Sequence, residues 1–99
     1  MLLVVGTIRL PADRVAEAKH AMRRMIEASR AEAACLEYCY SEDVVEVGLI
    51  RVIEMWRSLA GLEQHFASAH LAEWRAAGPT LGITDRNLVR YELNESIAT

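Results

Sequence analysis

The sequence has no strong excess of charge of either sign and no long apolar run. Its 11 Lys and Arg residues against 14 Asp and Glu residues give a formal net charge of -3, which argues against a nucleic-acid surface. The basic residues are scattered, so no polybasic patch for a membrane surface is present. No stretch approaches the roughly 20 apolar residues of a membrane-spanning helix. The apolar start, Leu2-Leu3-Val4-Val5, has no basic region before it, so we interpret it as a strand and expect a cytoplasmic protein.

Glycine and cysteine are too sparse to build several common kinds of site. The five glycines are isolated from one another, so no glycine-rich phosphate loop is present. Cys35 and Cys39 fall in a predicted strand, where four positions span about 13 Å, too far for a mutual disulfide. We expect both to be buried apolar filler. His65 and His70 are about 140° apart around a regular helix and no HExxH motif is present, so we expect no metal site.

Four short segments carry the apolar, β-branched and aromatic residues typical of strands. A long amphipathic helix is predicted between the first two, from Asp13, which is expected to cap its start, to about Ala31. A second helical region follows Ser58, weakens at residues 67–69 and is expected to stop at Gly78-Pro79. The four predicted strands are residues 2–9, 35–41, 48–57 and 86–93.

The order of these elements predicts one α+β domain over residues 1–99, a ferredoxin-like βαββαβ fold with an antiparallel four-stranded sheet. Both helical regions of that fold lie on one face, so the other face should be polar if it meets water. Yet the first and third strands are apolar on both faces, as Val4 opposes Val5 and Val52 opposes Ile53. We therefore predict a homodimer whose two sheets pack together as a dimeric α+β barrel. The alternative is that a loop covers this face or that it is tolerated as an exposed patch.

Glu54 occupies the least expected position for a charged residue. It shares a strand face with Val52 and Trp56, where a poorly hydrated carboxylate must be paired or its pKa must rise. His65 lies three residues after Leu62, on the core side of its helix, and is our first candidate partner for Glu54. The pair is either a structural hydrogen bond or part of an apolar pocket suited to a small aromatic ligand and general-base chemistry.

The chain resembles the antibiotic biosynthesis monooxygenase family of dimeric α+β barrels, which includes small bacterial quinol monooxygenases. The resemblance implies a ligand pocket between the sheet and the helices of each subunit. It also implies oxygenation of a small aromatic, quinol-like substrate by O₂ without flavin, haem, metal or other cofactor. The residues that carry it are Glu54-x-Trp56-x-Ser58, then Leu62-Glu63-x-His65, and then His70.

The family resemblance also implies a mechanism driven by the substrate. A base removes a proton, the resulting anion gives an electron to O₂, the radicals combine and water is lost. In this interpretation His65 or His70 is the base or proton shuttle, Glu54 holds an imidazole and Trp56 packs on the substrate ring. The other residues expected to line the pocket or its rim are Val52, Leu62, Phe66, Trp74, Tyr38, Tyr91 and Arg51.

Two departures from relatives narrow this expectation. Val52 and Leu62 stand where aromatic-polyketide oxygenases of the family have asparagine and tyrosine, so anthrone-type oxidation is not expected. Thr7 and Arg75 stand where haem-degrading relatives have asparagine and histidine, so haem degradation is not expected.

Two other functions stay open at this stage. Some relatives that share the glutamate and both histidines isomerise a small phosphorylated signal compound. A phosphate site requires converging basic residues, and we expect only Arg51, Arg57 and Arg75 to be in range. The third possibility is a non-catalytic dimeric ligand-binding module, in which the pocket is collapsed.

Overall fold

Strands and helical regions follow one another along the chain in the predicted order. A computed structural model describes all of residues 1–99. The second helical region is divided into two helices at Ala67 and Ser68, where the sequence pattern weakens. The elements are β1 (Leu2–Arg9), a 3₁₀ turn (Ala12–Arg14), α1 (Val15–Arg30), β2 (Cys35–Glu42), β3 (Leu49–Trp56), α2 (Leu59–Phe66), α3 (Ala69–Leu81) and β4 (Thr84–Glu92).

The strands form one antiparallel sheet in the order β2-β3-β1-β4, which confirms the ferredoxin-like α+β fold. The central strands β1 and β3 place Leu2 opposite Trp56 and Val4 opposite Glu54. Because side chains alternate along a strand, this register turns the even-numbered residues of both strands toward the helices. The buried apolar side chains of this layer are Leu2, Val4, Ile8, Ile50, Val52 and Trp56.

The helices cover one face of the sheet with the apolar stripes that their periodicity predicts. The amphipathic character of α1 is confirmed, since Val15, Ala18, Met22 and Met25 are buried against the sheet layer. The second helical region contributes its own buried side chains, Leu62, Leu71, Trp74 and Leu81. None of the three helices has the length and apolar composition that crossing a membrane requires.

The opposite face of the sheet, here called the open face, is apolar and is not covered by the chain itself. Val5 lies between Ile53 and Val89 across three strands. Ile53 is 42% exposed and Val89 is 51% exposed. The alternative in which a loop covers this face is therefore wrong. A row of half-exposed aliphatic side chains across a sheet is a surface that gains free energy when it is buried.

The start of α1 differs from the prediction. Asp13 lies in the 3₁₀ turn before the helix, and no side chain caps the start of that turn or the start of α1. By contrast, Ser58 caps α2 as its position predicts, since its Oγ accepts from the backbone N–H of Gly61 at 3.1 Å. The Asp13 cap is a correction: the extra 3₁₀ turn moves the helix start to Val15, beyond the reach of the aspartate.

The end of α3 also differs from the prediction. The helix continues through Pro79 and ends at Gly82, which is left-handed with φ 77°. The backbone N–H groups of Gly82 and Ile83 donate to the carbonyls of Pro79 and Gly78, which is the two-bond Schellman pattern. A proline in the last turn costs the helix one donor, and this ending supplies other donors to the final carbonyls. After this ending β4 begins at Thr84, two residues earlier than predicted.

The two cysteines are free thiols but are only partly buried, so the expectation of fully buried filler is wrong. Both lie on β2, which is an edge strand of the sheet. An edge strand has a neighbour on one side only, which leaves its side chains more open to water.

We expect Gly82→Ala to lower the free energy of unfolding by about 1–2 kcal/mol, because an alanine is strained in the left-handed conformation. Its Cβ would also lie 2.9 Å from Cγ of Pro11. Gly78→Ala is the matched control, since its Cβ would meet nothing closer than Ile83 at 4.0 Å. That change should leave stability equal or higher by about 0.5 kcal/mol. Urea unfolding of both variants checks this, and equal losses would contradict it.

Candidate active site

The carboxyl group of Glu54 is buried beneath α2 on the helix-facing side of β3. The residue is only 4% exposed, and its Oε1 accepts a hydrogen bond from the indole Nε1 of Trp56 at 3.1 Å. Burial raises the pKa of Glu54, and the Trp56 hydrogen bond and the positive charges of Arg86 and Arg75 oppose this rise. A carboxyl group with a raised pKa is a better match for proton transfer to and from weak acids.

Glu54 forms part of the wall of a cleft between α2 and the sheet, here called the sheet-side cleft. The cleft has a volume of about 180 Å³. Drug-sized ligands occupy pockets of about 300–1,000 Å³, so this cleft suits a single ring or a short chain. Its walls are mostly apolar, with one acidic residue and two positively charged residues. The lining residues are Val4, Glu54, Leu62, Phe66, Arg86, Leu88 and Arg90.

Three predicted site residues, Glu54, Leu62 and Phe66, therefore meet in the sheet-side cleft. Sequence reasoning missed Arg86 and Arg90, which come from β4. The signal was present, because Arg86-x-Leu88-x-Arg90 alternates with strand spacing and places all three side chains on one face.

The second polar cluster joins the loop after α1 to the two short helices. Oε2 of Glu32 lies 2.6 Å from Nδ1 of His65 and 2.9 Å from Nε2 of His70. The prediction that His65 pairs with Glu54 is wrong. The Glu54 carboxyl is held by its own strand neighbour Trp56, and the loop that follows α1 brings Glu32 to His65 instead.

His65 is fixed as a neutral imidazole in this cluster. It is 1% exposed, and burial lowers its pKa more than the nearby Glu32 carboxylate raises it. The Glu32 carboxylate accepts a hydrogen bond from Nδ1–H, so the lone pair of the ring lies on Nε2. The ring packs against Trp56, with 4.6 Å between ring centres, and against Tyr38, with 5.2 Å. His65 therefore has the protonation state of a base, in a fully enclosed position.

Glu32, His65 and His70 are also the residues whose atoms could hold a metal ion. Their ligand atoms lie within 4.8 Å of one another, and imidazole with carboxylate is a donor set that divalent ions accept. Ligands around a tetrahedral ion at about 2.0–2.1 Å stand about 3.3 Å apart. The 2.6 and 2.9 Å separations are shorter and match hydrogen bonds. The geometry as it stands favours a hydrogen-bonded cluster.

His70 opens to a different cavity, here called the helix-side cleft, which lies between α1 and α3. This cleft has a volume of about 280 Å³, and Arg24 and Glu73 form an ion pair at its wall. The predicted site residues His70 and Trp74 both line it. The structure thus divides the predicted site between two clefts, with His65 enclosed and lining neither.

The remaining predicted residues lie away from the sheet-side cleft. Trp56 and Tyr38 are 0% and 1% exposed and line no cleft, so a ligand reaches the Trp56 ring only if its neighbours move. Val52 is buried in the same core layer. Arg51 and Tyr91 lie on the open face, where Arg51 pairs with Asp43 at 2.9 Å. Arg51 and Tyr91 lie on this face because side chains alternate along a strand, and the odd-numbered positions of β3 and β4 point away from the helices.

Residues 1–77 match the family model for antibiotic biosynthesis monooxygenases. The chain belongs to the antibiotic biosynthesis monooxygenase family. This match covers β1 to the greater part of α3, and so includes Glu54 and the Glu32–His65–His70 cluster. It ends before β4, so Arg86 and Arg90 lie outside the matched residues.

Solved and curated relatives are similar to this chain over nearly all of its length. A Deinococcus radiodurans crystal structure named for the same family superposes with a TM-score of 0.92, at 28% identity, over 100% of this chain and 98% of that one. The Bacillus subtilis protein YcnE, named as a candidate monooxygenase, is 26% identical over 96% of this chain and its own full length. An uncharacterised Synechocystis protein is 28% identical over 96% of this chain, which spans 65% of that relative's length.

We expect Glu32→Ala to lower the free energy of unfolding by about 1–3 kcal/mol, because it leaves the buried His65 N–H without an acceptor. Glu63→Ala is the matched control, since Glu63 is exposed on α2 and makes no side-chain hydrogen bond. Its effect should stay within about 0.5 kcal/mol. Urea unfolding at neutral pH measures both, and equal effects would show that the cluster adds no stability.

Proposed function

We propose that this protein is a cofactor-independent monooxygenase that oxidises a small phenol or quinol with O₂. The observation that carries the proposal is the buried Glu54 carboxyl in the wall of a small apolar cleft. Membership of the antibiotic biosynthesis monooxygenase family supports the reaction class. The size of the sheet-side cleft supports a substrate with a single ring.

In the first step the Glu54 carboxylate takes the phenolic proton. A phenol has a pKa of about 10 and an ordinary glutamate about 4.3, so a raised glutamate pKa narrows the gap that the transfer must overcome. The Trp56 indole N–H holds the acceptor oxygen in place. Leu62 and Phe66 supply apolar walls beside it, which limit competition from water.

The later steps are chemistry of the substrate anion. The phenolate gives one electron to O₂, and the resulting phenoxyl radical and superoxide combine at a ring carbon that carries hydrogen. The peroxide anion that forms takes back the proton held by Glu54 and becomes a hydroperoxide. The hydroperoxide then loses water and leaves a quinone. One phenol and one O₂ become one quinone and one water, so no outside reductant is needed. The protein binds, orients and deprotonates, which is where proximity and an apolar enclosure contribute.

The histidines have a supporting place in this proposal. Glu32 holds His65, His65 packs on Trp56, and Trp56 donates to Glu54. We propose that His65 is a positioning residue that acts through Trp56. His70, at the helix-side cleft, stays a candidate for proton exchange with water.

The two alternatives each have one observation in their favour. Arg86 and Arg90 line the cleft, and converging arginines suit the phosphorylated substrate of an isomerase. Trp56, His65 and Leu62 are tightly packed, as a non-catalytic binding module would have them. The cleft beside Glu54 favours catalysis over the collapsed module.

Glu54→Gln should lower turnover about 10²–10⁴-fold, because the amide still accepts from Trp56 but cannot take a proton. The measurement is O₂ uptake with simple phenols and hydroquinones, in the presence of a chelator and with ¹⁸O₂ incorporation into product. Product formed equally well under nitrogen, or full activity of Glu54→Gln, would contradict the proposal.

The same variant should be as stable as the parent protein or more stable. Burial raises the pKa of Glu54. The protonated side chain therefore contributes fully to stability below the pKa that Glu54 has in the unfolded chain, and this contribution is lost as the pH rises through its pKa in the folded protein. The advantage of Glu54→Gln should therefore grow as the pH rises above the ordinary glutamate pKa of about 4.3. Glu63→Gln, at an exposed position of α2, is the control for both turnover and stability.

We also propose that the open face is the interface of a homodimer. Ile53, Val89 and Tyr91 are 42%, 51% and 50% exposed there, and a second open face would bury them at about 25 cal/mol per Å². Two identical apolar sheets satisfy the self-complementarity that a two-fold interface requires.

Val89→Lys should convert the dimer to a monomer at micromolar concentration, because it places a charge in the aliphatic row that Val89 forms with Val5 and Ile53 on that face. Val47→Lys is the matched control, since Val47 is 72% exposed in the turn before β3. Sedimentation velocity of the two variants and the parent protein measures the change. A parent protein that is monomeric at every concentration would contradict the interface.

A further inference from the structure

The two arginines of the sheet-side cleft lie four positions apart on the last strand. The register pairs Leu88 with Gly6 and Arg90 with Val4, so Leu88 and Arg90 project toward the helices with strand spacing. Arg86 precedes these pairs, at an irregularity of the register. Arg86 and Arg90 both line the cleft, with Leu88 between them. Two guanidinium groups therefore flank one apolar side chain at the edge of the cavity.

Neither arginine is engaged elsewhere in the protein. The ion pairs of the chain involve Arg9, Arg14, Arg23, Arg24 and Arg51, but not Arg86 or Arg90. A third guanidinium, that of Arg75, lies 5.5 Å from the centre of the Phe66 ring, which also lines the cleft. The positive groups of this cleft have donors available for a ligand.

A single acid, Glu54, faces these arginines from the cleft lining. Arg86 and Arg75 are close enough to act on its charge, but no ion pair forms with either. The Glu54 carboxyl is held by the Trp56 indole instead. The positive charges of Arg86 and Arg75 act on Glu54 and offset part of the repulsion between its carboxylate and an anion bound in the same cleft.

We infer that the sheet-side cleft binds a single-ring ligand that carries an anionic group, a carboxylate or a phosphate, held by Arg86 and Arg90. Guanidinium groups bind both anions through paired, charge-assisted hydrogen bonds. Leu62, Phe66 and Leu88 supply the apolar surface for the ring. The inference shares its cleft with the proposed function and narrows the substrate to aryl acids or aryl phosphates.

Ligand binding tests this inference without any need for turnover. The probes are 4-hydroxybenzoate and its neutral partner 4-hydroxybenzamide, with phenyl phosphate as the second anion. Isothermal titration calorimetry measures affinity, and tryptophan fluorescence, to which Trp56 beside Glu54 contributes, gives a second signal. The variants are Arg86→Gln, Arg90→Gln and their combination. Arg57→Gln is the matched control, because Arg57 is exposed, forms no ion pair and lines no cleft.

We expect 4-hydroxybenzoate or phenyl phosphate to bind the parent protein roughly tenfold more tightly than the amide. The preference should disappear in the double variant, stay in Arg57→Gln and weaken as salt is added. The tighter of the two anions identifies the group for which the cleft is built. Equal affinity for acid and amide, binding of neither anion, or an equal loss in Arg57→Gln would overturn the inference.

The outcome is separable from that of the monooxygenase proposal. Selective anion binding without O₂ uptake would support the anion site and count against the oxygenase. Oxygen uptake with neutral phenols, together with no preference for the anions, would support the oxygenase and count against the anion site.

Discussion

The burial of one carboxyl group, that of Glu54, constrains the helix-facing side of the sheet. On β3 it stands between Val52 and Trp56 and opposite Val4, in a layer that is otherwise apolar. A carboxylate loses hydration there, and only neighbouring donors and positive charges can compensate. The Trp56 indole supplies the donor, and Arg86 supplies charge from the neighbouring part of the sheet. The cleft lies where this group meets α2, which makes one residue both a cost to stability and the centre of the proposed chemistry.

A second polar cluster lies on the other side of the aromatic core. Glu32 joins His65 at the end of α2 to His70 at the start of α3, so it ties the two short helices to the loop before β2. Trp56 contacts both clusters, through its hydrogen bond to Glu54 and its ring contact with His65. A change in the histidine cluster can therefore reach Glu54 without any direct contact between them.

The two faces of the sheet have different physical tasks. The helix-facing side holds the core, the buried carboxyl and the arginines of β4 that border the cleft. The open face carries an uncovered aliphatic row and places Arg51 and Tyr91 far from the cleft. Parity along the strands makes this division, because neighbouring residues must point to opposite sides.

Local patterns were sufficient for the element order, the faces of the strands and the unusual position of Glu54, since side-chain alternation and helical spacing act over a few residues. Hydrogen-bond partners depend on which distant segments come within about 3 Å, and no spacing rule encodes that. Glu32, far from both histidines along the chain, became their acceptor only once the loop after α1 was packed beside α2. Arg86 and Arg90 likewise joined Glu54 only through the pairing of β4 with β1, which set the register across the sheet.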